Sequence, residues 1–238
     1  MQRKDKVFIN IIANIVIIAV IALLLTGTFL SNGAIPAAVG NKAIYQGNPE
    51  LPRVTLMFNV YWGTEYIVPI LDILDNYGVK TTFFIGGSWA AKNNDLLKEI
   101  NNRGHELGNH GYLHLDHGKL SETRNKEEIE LTGKLLYKVT GVQPNLFAPP
   151  SGALGQNMFR ACEKLDYTVI MWSRDTIDWR DKDSSLVYKR ATNGIQNGDL
   201  VLMHPTPHTL AALPSILEFY KVKGLTVTTV TNNITSSN

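Results

Sequence analysis

Short apolar runs alternate with amphipathic stretches along the chain from Arg53 onward. Most of these runs are rich in β-branched and aromatic residues, and turn residues bound them, as is typical of buried strands. They predict seven strands, at 54–59, 81–85, 105–109, 145–148, 168–172, 199–204 and 225–230.

The amphipathic stretches between these runs predict helices, and several of them end at Gly, a residue that favours the left-handed conformation beyond a helix. The stretches are YIVPILDILDNYG, DLLKEINNRG, KEEIELTGKLLYKVTG, GQNMFRACEKL, SLVYKRATNGI and LAALPSILEFYKVKG. Alternating strands and helices predict an α/β fold with a parallel sheet, either closed as a barrel or open and doubly wound.

Residues 7–30 form a different kind of segment, because they contain no charged residue and are almost wholly aliphatic. This length is enough for a helix to cross a bilayer. A basic cluster in residues 1–6 predicts a cytoplasmic N-terminus and an exported domain. The alternative is a cleaved signal peptide, whose apolar region usually spans about 7 to 15 residues. We expect a single-pass protein of the cell membrane, secreted if the segment is cleaved.

The segment that follows, 31–52, is small, polar and contains Pro and Gly, which is typical of a flexible tether. The predicted organisation is therefore a cytoplasmic N-terminus (1–6), a membrane anchor or signal segment (7–30), a linker (31–52) and one folded domain (53–238).

Composition excludes several classes of protein. The chain has 238 residues, of which 44% are hydrophobic and 18% charged, so a disordered chain is excluded. Cys162 is the single cysteine, which excludes an internal disulfide framework and a cysteine-based zinc site. Any metal must therefore be held by His and carboxylate side chains.

The formal net charge of +2 lies in the N-terminal segment. Residues 1–30 contain Arg3, Lys4 and Lys6 against Asp5, so the rest of the chain holds 20 basic and 20 acidic residues. A neutral domain exerts no general attraction on phosphate, which argues against nucleic acid as a partner.

Polar residues cluster where the predicted strands end, and in parallel α/β folds this edge carries the functional site. They are Asn59, His110, Arg174, Asp178 and His204, together with the Ala148-Pro149-Pro150 turn.

His110 and His114 are four residues apart, so on a helical turn they would share a face and could bind one cation such as Zn²⁺. A solvated, His-rich loop is the alternative. We interpret His105 as a residue that caps backbone groups, and we assign no role to Asp116 or His117.

His204 ends an apolar run before a proline and is a candidate general acid or base, although it could instead simply hydrogen-bond a loop. Asp178 could orient it through a carboxylate–imidazole hydrogen bond, or could cap a helix. Trp62, Trp172 and Trp179 could line a sugar-binding groove, or could belong to the core.

Five motifs together resemble the polysaccharide deacetylases of the NodB-homology type, carbohydrate esterase family four, over about 53–230. They are LMFNVYWG (56–63), HGYLH (110–114), FAPPSG (147–152), DW (178–179) and LMH (202–204). The first and third are most similar to the sporulation-associated branch of the family. The resemblance implies a distorted, seven-stranded β/α barrel.

The resemblance also implies roles for residues that match the family pattern. His110 and His114 match histidines that hold a divalent metal such as Zn²⁺ or Co²⁺, and His204 matches the acid that protonates the leaving amine. Asp178 matches the carboxylate associated with that acid. Trp179 and Leu202 match groups that line the acetyl pocket. Pro149, Pro150 and Arg174 are further candidates for substrate contacts.

Three positions depart from the family pattern: Asn59 replaces the base Asp, Val60 the metal-binding Asp, and Ala148 an Arg that steadies the base. An amide cannot act as a base at neutral pH, and losing a general base costs about 10²- to 10⁴-fold in rate. The metal site should be weak or empty. Glu65 is a candidate to replace the missing carboxylate, and Arg174 is a candidate to replace the missing guanidinium.

Three hypotheses follow. The first is a membrane-anchored, extracytoplasmic protein that engages N-acetylated cell-wall glycan such as peptidoglycan, with weak or absent deacetylase activity. The second is an active metal-dependent deacetylase of N-acetylglucosamine or N-acetylmuramic acid polymers. The third is a non-catalytic scaffold in sporulation or wall assembly.

Overall fold

The computed structural model describes residues 42–235. The predicted anchor at 7–30 lies outside the described residues, as does the first half of the predicted linker, 31–41. Within residues 42–235, no helix is long and apolar enough to cross a membrane.

Eight short strands form one sheet, and every paired strand runs parallel to its neighbour. They are β1 (Arg53–Val60), β2 (Thr82–Ile85), β3 (Glu106–Asn109), β4 (Leu146–Phe147), β5 (Thr168–Val169), β6 (Arg174–Asp175), β7 (Leu200–Met203) and β8 (Thr226–Val227). Seven of them follow the order β5-β4-β3-β2-β1-β7-β6, and β8 pairs with β1 beside this path.

The sheet is a half-barrel. Its two end strands, β5 and β6, follow each other directly in the chain, yet no ladder joins them within the described residues. Ile44 makes an isolated bridge with Ile170, and Gln46 makes one with Asp199. The segment that carries these two bridges falls within the predicted linker, so the folded unit begins before residue 53.

Helices connect successive strands, except β5 and β6. They are α1 (Ile67–Asn76), α2 (Gly87–Ala90), α3 (Asn94–Asn102), α4 (Glu122–Thr140), α5 (Gln156–Lys164), α6 (Asp178–Asp181), α7 (Ser184–Thr192), α8 (Pro207–Val222) and α9 (Val230–Ile234). Local signals define α4: the Ser121 side chain accepts a hydrogen bond from Arg124 N, and Gly141 ends the helix at φ 77°. All six helices predicted from amphipathic stretches are present.

All seven predicted strands are present, but the structure corrects two details. The two-residue strand β6 was not predicted, because a polar Arg-Asp pair carries no strand pattern. The predicted strand 225–230 is wrong in its second half, where Thr229 accepts a hydrogen bond from Asn232 N and caps α9. A threonine cap therefore overrides the β-branched pattern there.

Side-chain alternation along β1 divides the core into two parts. Val54, Leu56, Phe58 and Val60 pack in the large cluster that includes helix residues, whereas Met57 packs in a smaller cluster with residues of other strands. Successive strand residues point to opposite faces. Asn59 therefore shares the face of Met57, and Val60 is buried on the other face.

Candidate functional site

A cleft of about 510 Å³ opens at the carboxyl ends of the parallel strands. This is the edge at which the sequence placed its candidate residues. The lining residues are Asn59, Tyr61, Trp62, His110, His114, Ser151, Trp172, Asp175, Trp179, Leu202 and His204. The structure thus brings six of the ten candidate site residues into one cleft, and Asp178 lies directly behind His204.

Asn59 is the last residue of β1 on the cleft side. Its side chain is only 4% exposed, and its Oδ1 atom has no hydrogen-bond partner within the described residues. Val60, at the position of the family's metal-binding Asp, does not line the cleft but is fully buried in the large core cluster. A buried acceptor without a partner is uncommon and points to a ligand group.

His110 is held by a backbone carbonyl. Its Nδ1 lies 2.7 Å from the carbonyl oxygen of Ala148. Since a carbonyl only accepts, Nδ1 carries the proton and Nε2 keeps a free lone pair. Burial, and to a lesser extent His114, lowers the pKa of His110 to about 3, so the ring is neutral near pH 7.

His114 reaches the cleft through a loop and not through the helical turn that its spacing suggested. Gly111 has φ 69° and His114 has φ 56°, both in the left-handed region. The His110 and His114 rings are nevertheless 5.2 Å apart at their centroids, inclined at 69°. Burial also lowers the pKa of His114. The two neutral imidazoles are therefore neighbours.

Glu128 on α4 fixes this loop, and sequence reasoning missed it. One carboxylate oxygen accepts hydrogen bonds from the backbone N–H of Tyr112 (2.9 Å) and Leu113 (2.7 Å). The other oxygen pairs with Arg124 at 2.6 Å. Glu128 is only 2% exposed, and an acidic residue on the buried face of an amphipathic helix was the available signal.

Asp178 orients His204 through two hydrogen bonds. Its Oδ1 lies 2.8 Å from Nδ1 of His204, and its Oδ2 accepts from the His204 backbone N–H at 2.7 Å. Thr209, on α8, donates its hydroxyl to Oδ2 at 2.5 Å and was not predicted. This arrangement fixes the ring with Nε2 free, and His204 lines the cleft.

Aromatic side chains form the walls of the cleft. The Trp62 ring stacks on His204 at 5.8 Å, with the two planes inclined by 5°. Trp62 and Trp179 are 43% and 52% exposed, and Trp172 also lines the cleft. Tyr61 packs on His114 at 4.8 Å. Exposed aromatic faces around a concave polar site suit a sugar ring.

Other candidate residues lie elsewhere. Arg174 lines a neighbouring pocket of about 470 Å³, and its Nη2 donates to the carbonyl of Asn193. Pro149 and Pro150 are buried beside the cleft, and the next residue, Ser151, lines it. Glu65 is exposed on a short 3₁₀ helix and is not a lining residue. Glu65 and Arg174, the candidates to replace the missing carboxylate and guanidinium, therefore do not line the cleft.

The sequence model of the family described as "Polysaccharide deacetylase" matches residues 46–170, which is more than half of the chain. The chain belongs to the polysaccharide deacetylase family. The match begins at Gln46, which forms an isolated bridge with Asp199, the residue before β7.

Curated members of the family are similar over most of the chain. An uncharacterised protein of Bacillus subtilis, YlxY, is 40% identical over 190 residues, which is 80% of this chain and 60% of that protein. A peptidoglycan-N-acetylglucosamine deacetylase of Bacillus cereus is 30% identical over 185 residues, which is 76% of this chain and 67% of that protein. The chain thus spans about two thirds of the length of these relatives.

Solved structures confirm the fold and include an inactive relative. A carbohydrate esterase family 4 pseudoenzyme from Bacillus anthracis is 34% identical, with a TM-score of 0.80 over 82% of this chain and 70% of that one. A mutant of the same pseudoenzyme, described as having restored enzymatic activity, is 32% identical, with a TM-score of 0.80 over 82% and 72% of the two chains. The family therefore contains both active and inactive members.

The residues present do not fit the family's divalent metal. His110 and His114 supply two imidazoles, but within residues 42–235 no group of three or more His, Cys, Asp or Glu side chains is arranged to hold a metal ion. Two neutral imidazoles form an incomplete ligand set for Zn²⁺, which takes three protein ligands in catalytic sites. The missing ligand corresponds to Val60, whose side chain is in the core.

Proposed function

We propose that this chain is a membrane-anchored, extracytoplasmic member of the polysaccharide deacetylase family that binds N-acetylated cell-wall glycan and has weak or absent deacetylase activity. Residues 7–30 supply the anchor, and the cleft binds the glycan. Kinship with peptidoglycan deacetylases supports the choice of ligand.

One observation carries the proposal. Positions 60 and 148, where family members have the metal-binding carboxylate and the guanidinium, are buried in the core. Val60 and Ala148 are both 0% exposed and belong to separate apolar clusters. The third position, Asn59, faces the cleft with an amide that cannot take a proton. Packing around Val60 and Ala148 is thus adapted to apolar side chains, and catalysis lacks both a base and a complete metal site.

The aromatic and polar residues of the cleft support glycan binding. Trp62, Trp172 and Trp179 line the cleft, and the Asp178–His204 pair keeps a fixed polar group in the same cleft. Stacking on tryptophan rings suits the apolar faces of pyranose rings. Assignment to the sporulation branch remains a prediction from the first and third motifs, and expression confined to sporulating cells would test it.

Co-sedimentation with purified peptidoglycan tests glycan binding. We expect the full chain in detergent to sediment with the glycan, and Trp179→Ala to weaken binding by about tenfold, the effect of losing one well-placed aromatic contact. Val222→Ala is the matched control, since Val222 is 79% exposed and does not line the cleft. Failure of the natural chain to sediment would contradict the proposal.

A working metal-dependent deacetylase is the second candidate, and the intact Thr209–Asp178–His204 hydrogen-bond chain favours it. An enzyme of this kind must hold its metal firmly. Metal analysis after dialysis separates the two candidates: stoichiometric Zn²⁺ or Co²⁺ would favour the enzyme, and a metal-free protein with unchanged folding would favour the glycan-binding protein.

A further inference from the structure

A second pocket, of about 470 Å³, lies next to the cleft and is lined by three cationic side chains, Arg174, Lys189 and Arg190. We call it the cationic pocket. Asp175 supplies one carboxylate to its lining and also lines the cleft, so the two pockets adjoin at this residue. A polymer bound in the cleft can therefore extend into the cationic pocket.

Helical spacing places one side of this pocket on a single face of α7. Leu186, Lys189 and Arg190 stand at positions i, i+3 and i+4, and Asn193, at i+7, caps the end of the helix. Arg174 comes from the opposite side, on β6, whose partner strand β7 contributes Leu202 to the cleft. A strand and the helix that follows it in the chain thus form one concave site.

Arg174 is held in this pocket and keeps N–H groups for a ligand. Its side chain is 18% exposed, and its Nη2 donates to the carbonyl of Asn193. Its Nε is buried without a hydrogen-bond partner and lies 3.6 Å from Asp199 Oδ2, which is an ion-pair distance. Its Nη1 has no hydrogen-bond partner within residues 42–235. A guanidinium has five N–H donors, so most of the donor capacity of Arg174 is unused.

Charge pairing around the pocket leaves a surplus of one positive charge. Arg180 and Arg190 share Asp181, whereas Lys189 is exposed and makes no ion pair or hydrogen bond among residues 42–235. The four cations are Arg174, Arg180, Lys189 and Arg190, and the three carboxylates are Asp175, Asp181 and Asp199. This surplus is local, because the chain after residue 30 is neutral overall.

A carboxylate suits this lining better than a sugar hydroxyl does. It accepts from the unused N–H groups of Arg174 and from the ammonium group of Lys189, and charge-assisted hydrogen bonds are about twice as strong as neutral ones. Leu186, which is 37% exposed, offers apolar contact to a small group beside the carboxylate. Asp175 repels an anion, so the expected gain in affinity is modest.

We infer that the cationic pocket binds a carboxylate substituent of the glycan whose sugar unit occupies the cleft. The inference rests on the proposed glycan-binding function and narrows its ligand from N-acetylated glycan in general to glycan that carries carboxylates. Two sources of this group exist in peptidoglycan: the lactyl ether of N-acetylmuramic acid, in which a methyl group lies beside the carboxylate, and the peptide attached to it.

Binding of four tetrasaccharides to the full chain in detergent tests the inference. One is the neutral N-acetylglucosamine tetramer. The other three alternate N-acetylglucosamine with N-acetylmuramic acid and carry free lactyl carboxylates, neutral lactyl methylamides, or an alanyl-glutamate dipeptide on each lactyl group. Intrinsic fluorescence reports binding, since three of the four tryptophans line the cleft.

We expect at least one carboxylate-bearing tetrasaccharide to bind about fivefold more tightly than the methylamide, which has nearly the same size but no charge. The preference should shrink in about 0.5 M NaCl because salt screens exposed charges. Tighter binding of the lactyl carboxylate identifies the sugar as the source of the anion, and tighter binding of the dipeptide alone identifies the peptide.

Three variants locate the preference. Lys189→Gln and Arg174→Gln each remove one cation of the pocket and should reduce the preference to about twofold or less, with affinity for the neutral tetramer unchanged. Lys138→Gln is the matched control, because Lys138 is also exposed in the last turn of its helix but does not line the pocket. If Arg174→Gln fails to fold, the result for Lys189→Gln decides alone.

Each contrary outcome has a distinct meaning. Equal binding of the methylamide and of both carboxylate-bearing ligands would overturn the inference and leave the proposed glycan binding intact. A preference that survives the pocket variants, or that Lys138→Gln reduces equally, would reveal general attraction of an anion and would also overturn it. Binding of none of the four tetrasaccharides would overturn both the inference and the proposed function.

Discussion

At the scale of single residues, neighbouring positions on β1 have different roles. Asn59 faces the cleft and Val60 faces the core, because a strand alternates its faces. The sequence alone identified both departures from the family pattern, but it could not show that position 60 had become part of the packing. A substitution that looks like loss of a ligand is therefore also a gain of buried apolar surface.

Restoring the carboxylate at position 60 should cost stability. We expect Val60→Asp alone to lower the free energy of unfolding by about 3 kcal/mol or more, since it places a carboxylate without a partner among apolar side chains. Val222→Asp, at a position that is 79% exposed, should change it by less than about 0.5 kcal/mol. Urea denaturation of both variants measures the difference, and equal stability would show that position 60 is open to solvent or to a cation.

At the scale of elements, turns and helices decide where the strand-end residues go. Gly63 has φ 74°, and a Cβ there would overlap the carbonyl of Pro205, so only glycine lets the turn after β1 approach the chain after His204. The neighbouring Trp62 ring stacks on His204. Helix α4 acts similarly through Glu128, which holds the loop that carries His114.

The hydrogen bonds between Glu128 on α4 and the loop that carries His114 lead to a prediction. Glu128→Gln keeps the size of the side chain but removes its charge, so the hydrogen bonds from Tyr112 and Leu113 should weaken. We expect amide hydrogen exchange of these two residues to quicken about tenfold or more, while amides in the middle of α4 stay protected. Glu130→Gln is the control, because among residues 42–235 Glu130 pairs only with the exposed Lys134. Unchanged exchange at Tyr112 and Leu113 would contradict the positioning role.

Most strands and part of the site could be predicted from the sequence. Apolar runs predicted all seven strands that carry a pattern, and strand ends predicted the edge where Asn59, His110 and His204 meet. Arg174 was misplaced, because a strand-end position does not reveal which pocket a long side chain enters. Glu128 and Thr209 were missed, since their roles depend on contacts between elements that are distant in the chain.

At the scale of the whole molecule, charge and hydropathy are divided along the chain. The +2 net charge precedes the apolar segment, and the remainder is neutral overall. Within that neutral remainder, the cleft has Asp175 and no lining Lys or Arg. The neutral remainder therefore exerts no general attraction on a charged polymer.

The apolar segment gives a prediction about location. The full chain should fractionate with membranes and resist extraction by high salt, because about 20 apolar residues are enough to span the hydrocarbon layer. A chain lacking residues 1–30 should remain in the soluble fraction. Release of a shortened protein from intact cells would instead indicate cleavage after the segment, and a soluble full-length chain would contradict the anchor.

The central claim is that this family member binds glycan but does not cut its acetamide, and acetate release tests it most directly. The purified full chain in detergent is incubated with N-acetylglucosamine oligomers and with peptidoglycan, with added Zn²⁺ or Co²⁺, beside an active family member such as the Bacillus cereus deacetylase. We predict acetate at or near the level of the blank, at least about 10²-fold below the active enzyme, because Asn59 cannot act as a base. Acetate release at a rate comparable to that of the active enzyme would contradict the account.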